Sequence, residues 1–154
     1  MQPLVCDTGP LVALSYLDLL ELVPVLYRPL VTPAVLAEWK AADGRAGLPP
    51  SFEITTEPPT DPLLTHQLDS GEASVIQFAV ANDIASILID ERKGRRIARR
   101  VFGLETIGTA GLLVQAKHRG LTGDIAPFFA RLKEEGYWID EAIVTWALDE
   151  SNSG

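Results

Sequence analysis

Four acidic residues are the side chains whose types and positions could do chemistry in this 154-residue chain: Asp7, Glu38, Glu72 and Asp90. They lie far apart along the sequence, so only the fold can bring them together. Two carboxylates about 4 Å apart repel each other by on the order of 4 kcal/mol at an effective dielectric constant of about 20. A hard divalent cation relieves this repulsion, and Mg²⁺ or Mn²⁺ can activate a water for in-line attack on a phosphodiester.

Each of these acids also has a purely structural explanation. Asp7 could close a strand-to-helix turn, and Asp90 could be the N-cap of the helix that follows it. Glu72 stands three residues after Asp69, which is the spacing of a capping box. Glu38 could be an exposed helix residue. Composition and spacing leave both interpretations open.

Positive charge is concentrated in one short segment, although the net charge of the whole chain is −8. Almost half of the 13 lysines and arginines fall between positions 92 and 100. The overall charge argues against a general nucleic-acid coat, because phosphate binding needs cations. The basic segment could still hold a polyanion at one place, and a solvated helix face is the alternative explanation.

Short apolar runs that alternate with helical patterns predict an α/β fold with a mostly parallel sheet. Ligands of such sheets bind beyond the carboxyl ends of the strands. Asp7 and Asp90 each follow a predicted strand, so we expect them to meet at one edge of the sheet. The predicted strands are Leu4–Cys6, Leu30–Val31, Phe52–Thr56, Ala85–Ile89 and Glu105–Ile107.

The helical patterns have recognisable starts. Pro10 and Pro33 suit the first position of a helix, Thr32 and Thr109 suit the N-cap, and a long loop fills the Pro-rich segment 43–62. We predict one domain over residues 1–150 and a flexible tail over residues 151–154. The predicted helices span residues 11–22, 33–42, 70–81, 91–101, 109–119, 123–135 and 141–148.

Several functional classes are disfavoured by what the sequence lacks. It has no Cys/His spacing typical of zinc sites and no Gly-rich phosphate loop. It has neither a membrane-length apolar run nor the basic start of a signal peptide. Cys6, its single cysteine, suits a reducing compartment. We therefore expect a cytoplasmic protein that does not associate with membranes.

Five segments together resemble the PIN-domain family, and in particular a PIN-like subfamily of unknown function related to the VapC toxins of toxin–antitoxin pairs. The resemblance covers about residues 3–147, which is nearly the whole chain. Four of the segments carry the acidic residues in the same order, and the fifth follows them. The segments are Val5–Leu14, Pro33–Glu38, Asp69–Ala73, Leu88–Arg95 and Ile107–Leu113.

This resemblance implies a three-layer α/β/α fold and a metal-dependent ribonuclease. It implies that Asp7, Glu38, Glu72 and Asp90 form a catalytic site for Mg²⁺ or Mn²⁺, with the two aspartates as direct ligands. It implies that Thr8 supports Asp7 and a metal-bound water. Such toxins form homodimers and are blocked by an antitoxin peptide laid across the site. The residues that would contact the phosphates of an RNA substrate are Arg92, Lys93 and Arg95.

Two positions depart from the family pattern. Gly9 stands where many catalytic members have Ser or Asn, and Glu72 stands where many have Asp. These departures keep two hypotheses open. The first is a PIN-type endoribonuclease that acts as the toxin of a toxin–antitoxin pair. The alternative is a catalytically weak PIN-like module that binds nucleic acid or a protein partner without cutting.

Overall fold

A parallel sheet is the centre of the molecule in the computed structural model, which describes residues 1–42 and 47–153. Within these residues, the sheet contains five strands in the order β3-β2-β1-β4-β5, and every neighbouring pair is parallel. The strands are β1 (Pro3–Cys6), β2 (Arg28–Val31), β3 (Glu53–Ile54), β4 (Ser86–Leu88) and β5 (Glu105–Ile107).

Helices flank the sheet and complete a three-layer α/β/α fold, as the family resemblance implies. Helix α3 packs against α5, and α7 packs against α9. No helix in the described part of the chain is long and apolar enough to cross a membrane. The helices are α1 (Thr8–Tyr16), α2 (Leu22–Leu26), α3 (Pro33–Ala41), α4 (Pro62–Thr65), α5 (Ser70–Ala81), α6 (Arg92–Phe102), α7 (Thr109–His118), α8 (Ala126–Glu134) and α9 (Glu141–Asn152).

The two central strands, β1 and β4, are fully buried where they pair. Val5 lies beside Ile87 and Cys6 beside Leu88, and none of these four residues is exposed to solvent. Burial on both faces of a parallel sheet explains why these strands are continuously apolar rather than alternating. The chain leaves β1 for β2 on one side and later returns to β4 on the other side. The carboxyl ends of β1 and β4 therefore form the topological switch point, where α/β sheets bind ligands.

Two helices that support the site begin as the sequence predicts. Thr32 is the N-cap of α3, where its side chain accepts a hydrogen bond from the Val35 amide at 3.3 Å, and Pro33 occupies the first helical turn. Asp69 and Glu72 form the predicted capping box at the start of α5. These local signals fix where α3 and α5 start relative to the sheet edge.

The helix predicted over residues 11–22 is wrong as a single element. Helix α1 begins earlier, at Thr8, and ends at Tyr16, and the short α2 follows it. The chain between them bends at Asp18, whose φ of 55° lies in the left-handed region. A continuous right-handed helix cannot pass through that conformation.

Other boundaries also differ from the predictions. Helix α4 is absent from the predictions. Helix α8 begins at Ala126 rather than at residue 123, and the Ala126 amide donates to Asp124 Oδ1 at 3.1 Å just before it. The predicted flexible tail is helical through Asn152, with Ser151 buried. Residues 43–46 of the predicted long loop, and residue 154 of the tail, lie outside the described residues.

Candidate active site

The four predicted acids come from four different elements and converge at the switch point. Asp7 directly follows β1, and its amide donates to the carbonyl of Leu88 on β4 at 2.8 Å. Asp7 is only 6% exposed. Its burial, and then the charges of Asp69, Glu38 and Asp90, raise its pKa to about 7, although the Thr8 amide opposes the rise. A carboxyl group with such a pKa has few favourable partners for its charge.

Glu38 is brought to the cluster by α3 and is held on two sides. The Thr8 hydroxyl donates to Glu38 Oε1 at 2.5 Å. The Thr8 hydroxyl thus supports Glu38, whereas the contact of Thr8 with Asp7 is made by its backbone amide. On the other side lies Gly71, where a Cβ would stand 2.1 Å from Glu38 Oε1. The absence of a side chain at Gly71 therefore makes room for the Glu38 carboxylate.

Glu72 combines a structural role with an unsatisfied oxygen. Its amide donates to Asp69 Oδ1 at 2.8 Å, and the Asp69 amide donates to Glu72 Oε1 at 3.3 Å. Its other oxygen, Oε2, is buried and has no hydrogen-bond partner among the described residues. Burial, the hydrogen bond with Asp69 and the charges of Asp69, Asp7 and Glu91 raise the pKa of Glu72, and the Glu91 carboxyl can accept a hydrogen bond from a protonated Glu72. A buried carboxyl oxygen without a partner is a candidate to bind a proton or a cation.

Asp90 is the most firmly held of the four acids. The Thr109 amide donates to its Oδ1 at 2.7 Å, the Thr109 hydroxyl donates to its Oδ2 at 2.6 Å, and the Tyr137 hydroxyl also donates to Oδ2. Asp90 is not the N-cap of α6, because Glu91 takes that position and accepts from the Gly94 amide at 2.6 Å.

Thr109 differs from its predicted role as a helix cap. The N-cap of α7 is Gly108, which has no side chain, and Thr109 is the first residue of the helix. A threonine at this position can direct its amide and its hydroxyl to the same acceptor, Asp90. The first residue of α7 therefore donates its hydrogen bonds to Asp90, and the N-cap residue of this helix makes no side-chain capping bond.

The three cations predicted to contact substrate are at the start of α6, but in different environments. Arg92 is exposed and pairs with Asp140, with 2.6 Å between Nη2 and Oδ2. Lys93 is exposed, whereas Arg95 is half-buried. A Cβ on Gly108 would meet Arg95 Nη1 at 2.6 Å and Asp90 Oδ1 at 2.9 Å. The guanidinium of Arg95 therefore borders the acidic cluster.

The carboxylate oxygens of the cluster suit a hard divalent cation, although they do not surround a metal position completely. In residues 1–42 and 47–153, no three Asp, Glu, His or Cys side chains are arranged to hold a metal ion together. Mg²⁺, however, usually takes one or two carboxylates and keeps several waters. Glu72 Oε2, which receives no hydrogen bond from the described residues, and the buried Asp7 carboxylate supply such oxygens. Asp90 can contribute as well, since a carboxylate has about four acceptor sites and three of them are used.

The sequence interpretation missed three residues that contribute to the site. Asp69 acts on the pKa of Asp7, whereas we expected it only as a helix cap. Thr109 lies in a segment that carries the family resemblance, so the sequence already contained a reason to consider it as a site residue. Tyr137 lies 47 residues beyond Asp90 in the sequence, and no motif marked it.

Comparison with known proteins identifies the family of the chain. No curated protein matches the chain significantly. A family model described as a PIN domain matches residues 3–153, which is almost the whole chain. PIN domains are generally nucleases and typically use divalent metals. The resemblance, the parallel sheet and the family match lead to one conclusion: the chain belongs to the PIN domain family.

Proposed function

We propose that this protein is a divalent-metal-dependent endoribonuclease that acts as the toxin of a toxin–antitoxin pair. One observation carries the proposal. Buried carboxylates meet at the topological switch point of the sheet, and one of their oxygens, Glu72 Oε2, has no partner among the described residues. A buried negative cluster of this kind is stable when a cation shares it.

The proposed roles of the acids are those that the family resemblance implies. Asp7 and Asp90 would bind Mg²⁺ or Mn²⁺ directly, while Glu38 and Glu72 would complete the ligand set or hold its waters. When bound, the ion lowers the pKa of a water molecule and neutralises charge on the phosphodiester. The chain holds these groups in place, since the Thr8 hydroxyl fixes Glu38 at 2.5 Å.

The RNA substrate would lie along α6. This helix begins two residues after Asp90 and runs about 16 Å at 1.5 Å per residue. Lys93 and Arg95 stand in its first turn, next to the cluster. The ion pair of Arg92 with Asp140 is exposed, and exposed pairs contribute only about 0–1 kcal/mol, so an RNA phosphate can replace Asp140.

The proposed function also implies an antitoxin partner, a homodimer and a cytoplasmic location. An antitoxin would place an arginine in the acidic cluster, because guanidinium groups bind carboxylates through two parallel hydrogen bonds. A homodimer is included because toxins of the type that this sequence resembles form one. The free, buried Cys6 suits the reducing environment of the cytoplasm.

A cleavage assay tests this function. Structured and single-stranded RNA are incubated with wild type, Asp7→Asn and Asp90→Asn in the presence of Mg²⁺, Mn²⁺ or EDTA. We expect cleavage by wild type with metal, its loss in EDTA, and a decrease of at least about 10–100-fold in both variants. Asp149→Asn is the control, because Asp149 is an exposed acid on α9. If Asp7→Asn and Asp90→Asn cleave as well as wild type does, the carboxylate mechanism is wrong.

The alternative is a PIN-like module that binds RNA or a protein without cutting. It is favoured by the absence, in the described residues, of three side chains already arranged around one ion. This alternative predicts RNA binding that weakens with salt, without cleavage and without binding of Mn²⁺. Isothermal titration calorimetry with Mn²⁺ alone distinguishes the two functions, because only the nuclease needs a cation site.

A further inference from the structure

One residue far from the acidic motifs reaches the site from the connection between α8 and α9. Gly136, two residues after the last residue of α8, has a φ of 80°, in the left-handed region. The amide of the next residue, Tyr137, donates to the carbonyl of Leu132 at 2.9 Å and fixes the backbone there. The Tyr137 hydroxyl then donates to Asp90 Oδ2. This hydrogen bond joins the connection between α8 and α9 to the residues that directly follow β4.

The hydroxyl of Tyr137 lies in a space that Gly9 leaves open. A Cβ on Gly9, in the first turn of α1, would stand 3.1 Å from that hydroxyl oxygen. This distance is tighter than ordinary van der Waals contact, so a side chain at position 9 would push the tyrosine hydroxyl away from its present position by a few tenths of an ångström. Gly9 and Tyr137 are thus a matched pair, in which the small residue permits the contact of the large one.

We propose that Tyr137 is a positioning residue that fixes the Asp90 carboxylate for cation binding, with Gly9 as the residue that admits it. The inference rests on the proposed nuclease function. Thr109 donates once to each oxygen of Asp90, and Tyr137 adds a third donor. One of about four acceptor sites on the carboxylate then remains for a cation. Residues that hold a metal ligand typically change metal affinity or activity by about 10–100-fold when they are replaced.

The first test is Tyr137→Phe, which removes the hydroxyl and keeps the ring. Its matched control is Tyr27→Phe, because the Tyr27 hydroxyl also donates to a side chain, Gln115 Oε1 at 2.8 Å, but at the opposite edge of the sheet. We expect Tyr137→Phe to bind Mn²⁺ about 10–100-fold more weakly by calorimetry. We also expect it to recover RNA cleavage when Mn²⁺ is raised. Tyr27→Phe should match wild type in both measurements.

The second test is Gly9→Ala, in which the added methyl group crowds the Tyr137 hydroxyl but does not remove it. Alanine is a better helix former than glycine, and Gly9 lies within α1 with no positive φ. We therefore expect an unfolding temperature equal to or above that of wild type, together with weaker Mn²⁺ binding. In the Tyr137→Phe background, the same alanine should have no further effect on Mn²⁺ affinity, because the atom it displaces is gone.

The outcomes separate this inference from the proposed function. If wild type binds Mn²⁺ and cleaves RNA, but Tyr137→Phe and Gly9→Ala bind Mn²⁺ as tightly as wild type does, then the inference is wrong and the nuclease function stands. If wild type neither binds Mn²⁺ nor cleaves RNA, both are overturned. If both variants weaken Mn²⁺ binding and the double variant shows no additive loss, the positioning role is supported.

Discussion

The two aspartates at the strand ends differ in how their charges are compensated. Asp90 accepts three hydrogen bonds from Thr109 and Tyr137, which fix the position of its carboxylate. Asp7 is 6% exposed, and its pKa is raised to about 7 by burial first and then by the neighbouring acids. In the proposed site, Asp90 is therefore the group held in position, and Asp7 is the group whose charge most needs a cation.

Gly71 gives a residue-scale prediction about Glu38. In Gly71→Ala the new Cβ would stand 2.1 Å from Glu38 Oε1, so the carboxylate must move and its hydrogen bond with Thr8 must lengthen or break. The displaced atoms are the end of a flexible side chain, so we expect a stability cost at the low end of the roughly 1–3 kcal/mol typical of overpacking. RNA cleavage should decrease about 10-fold or more, because Glu38 leaves the cluster. Urea unfolding and a cleavage assay measure the two effects.

The control for this substitution is Gly123→Ala, because no atom lies within 4 Å of a Cβ at Gly123. It should leave both cleavage and stability close to those of wild type. Cleavage by Gly71→Ala at the wild-type rate would show that the position of Glu38 is unimportant. The idea that Gly71 is needed to admit this carboxylate would then be abandoned.

At the scale of elements, α6 joins the acidic cluster to a cationic surface. Arg96, Arg99 and Arg100 are exposed on it, and none of them forms an ion pair with another described residue. Spacings of three and four residues place side chains on one side of a helix. The helix thus extends positive charge away from the cluster, in a chain whose net charge is −8.

The cations of α6 predict the salt dependence of RNA binding. In the double variant Arg96→Gln, Arg99→Gln, the slope of log K against log salt should be smaller by about 0.7 for each lost contact to single-stranded RNA. The control replaces Lys117 and Arg119 by Gln, near the far end of α7 and at equal cost in charge. Fluorescence anisotropy at several salt concentrations measures both slopes. Equal slopes for the two double variants would mean that RNA binding depends only on the net charge of the protein and not on the position of the cations on α6.

The elements also show what could be predicted from the sequence. The apolar runs of β1 and β4 locate Asp7 and Asp90, because a strand buried on both faces leaves a continuous apolar signal. The break at Asp18 was not predictable, since its left-handed conformation leaves no mark in the helical periodicity. The contact of Tyr137 with Asp90 was also missed, because it depends on how the connection between α8 and α9 packs. Local patterns thus locate the acids, whereas tertiary packing determines what holds them.

At the scale of the whole molecule, the buried acids make the free energy of unfolding depend on pH. An unfolded Asp loses its proton near pH 4, whereas Asp7 in the folded protein holds it until about pH 7. Between these values the folded state binds more protons than the unfolded state does, so stability decreases as pH rises. Each unit of pKa shift corresponds to about 1.4 kcal/mol, so Asp7 alone accounts for roughly 4 kcal/mol across this range. Glu72, whose pKa is also raised, acts in the same direction.

We therefore expect the metal-free protein to have a lower free energy of unfolding at pH 8 than at pH 5. Urea unfolding in EDTA measures this difference. Asp7→Asn should remove a large part of it, because asparagine does not ionise, and the exposed-site control Asp149→Asn should retain it. Mn²⁺ should stabilise wild type more at pH 8 than at pH 5, since a cation binds the deprotonated carboxylates. A metal-free protein equally stable at both pH values would show that folding does not raise the pKa of Asp7, and the predicted link between stability and pH would be wrong.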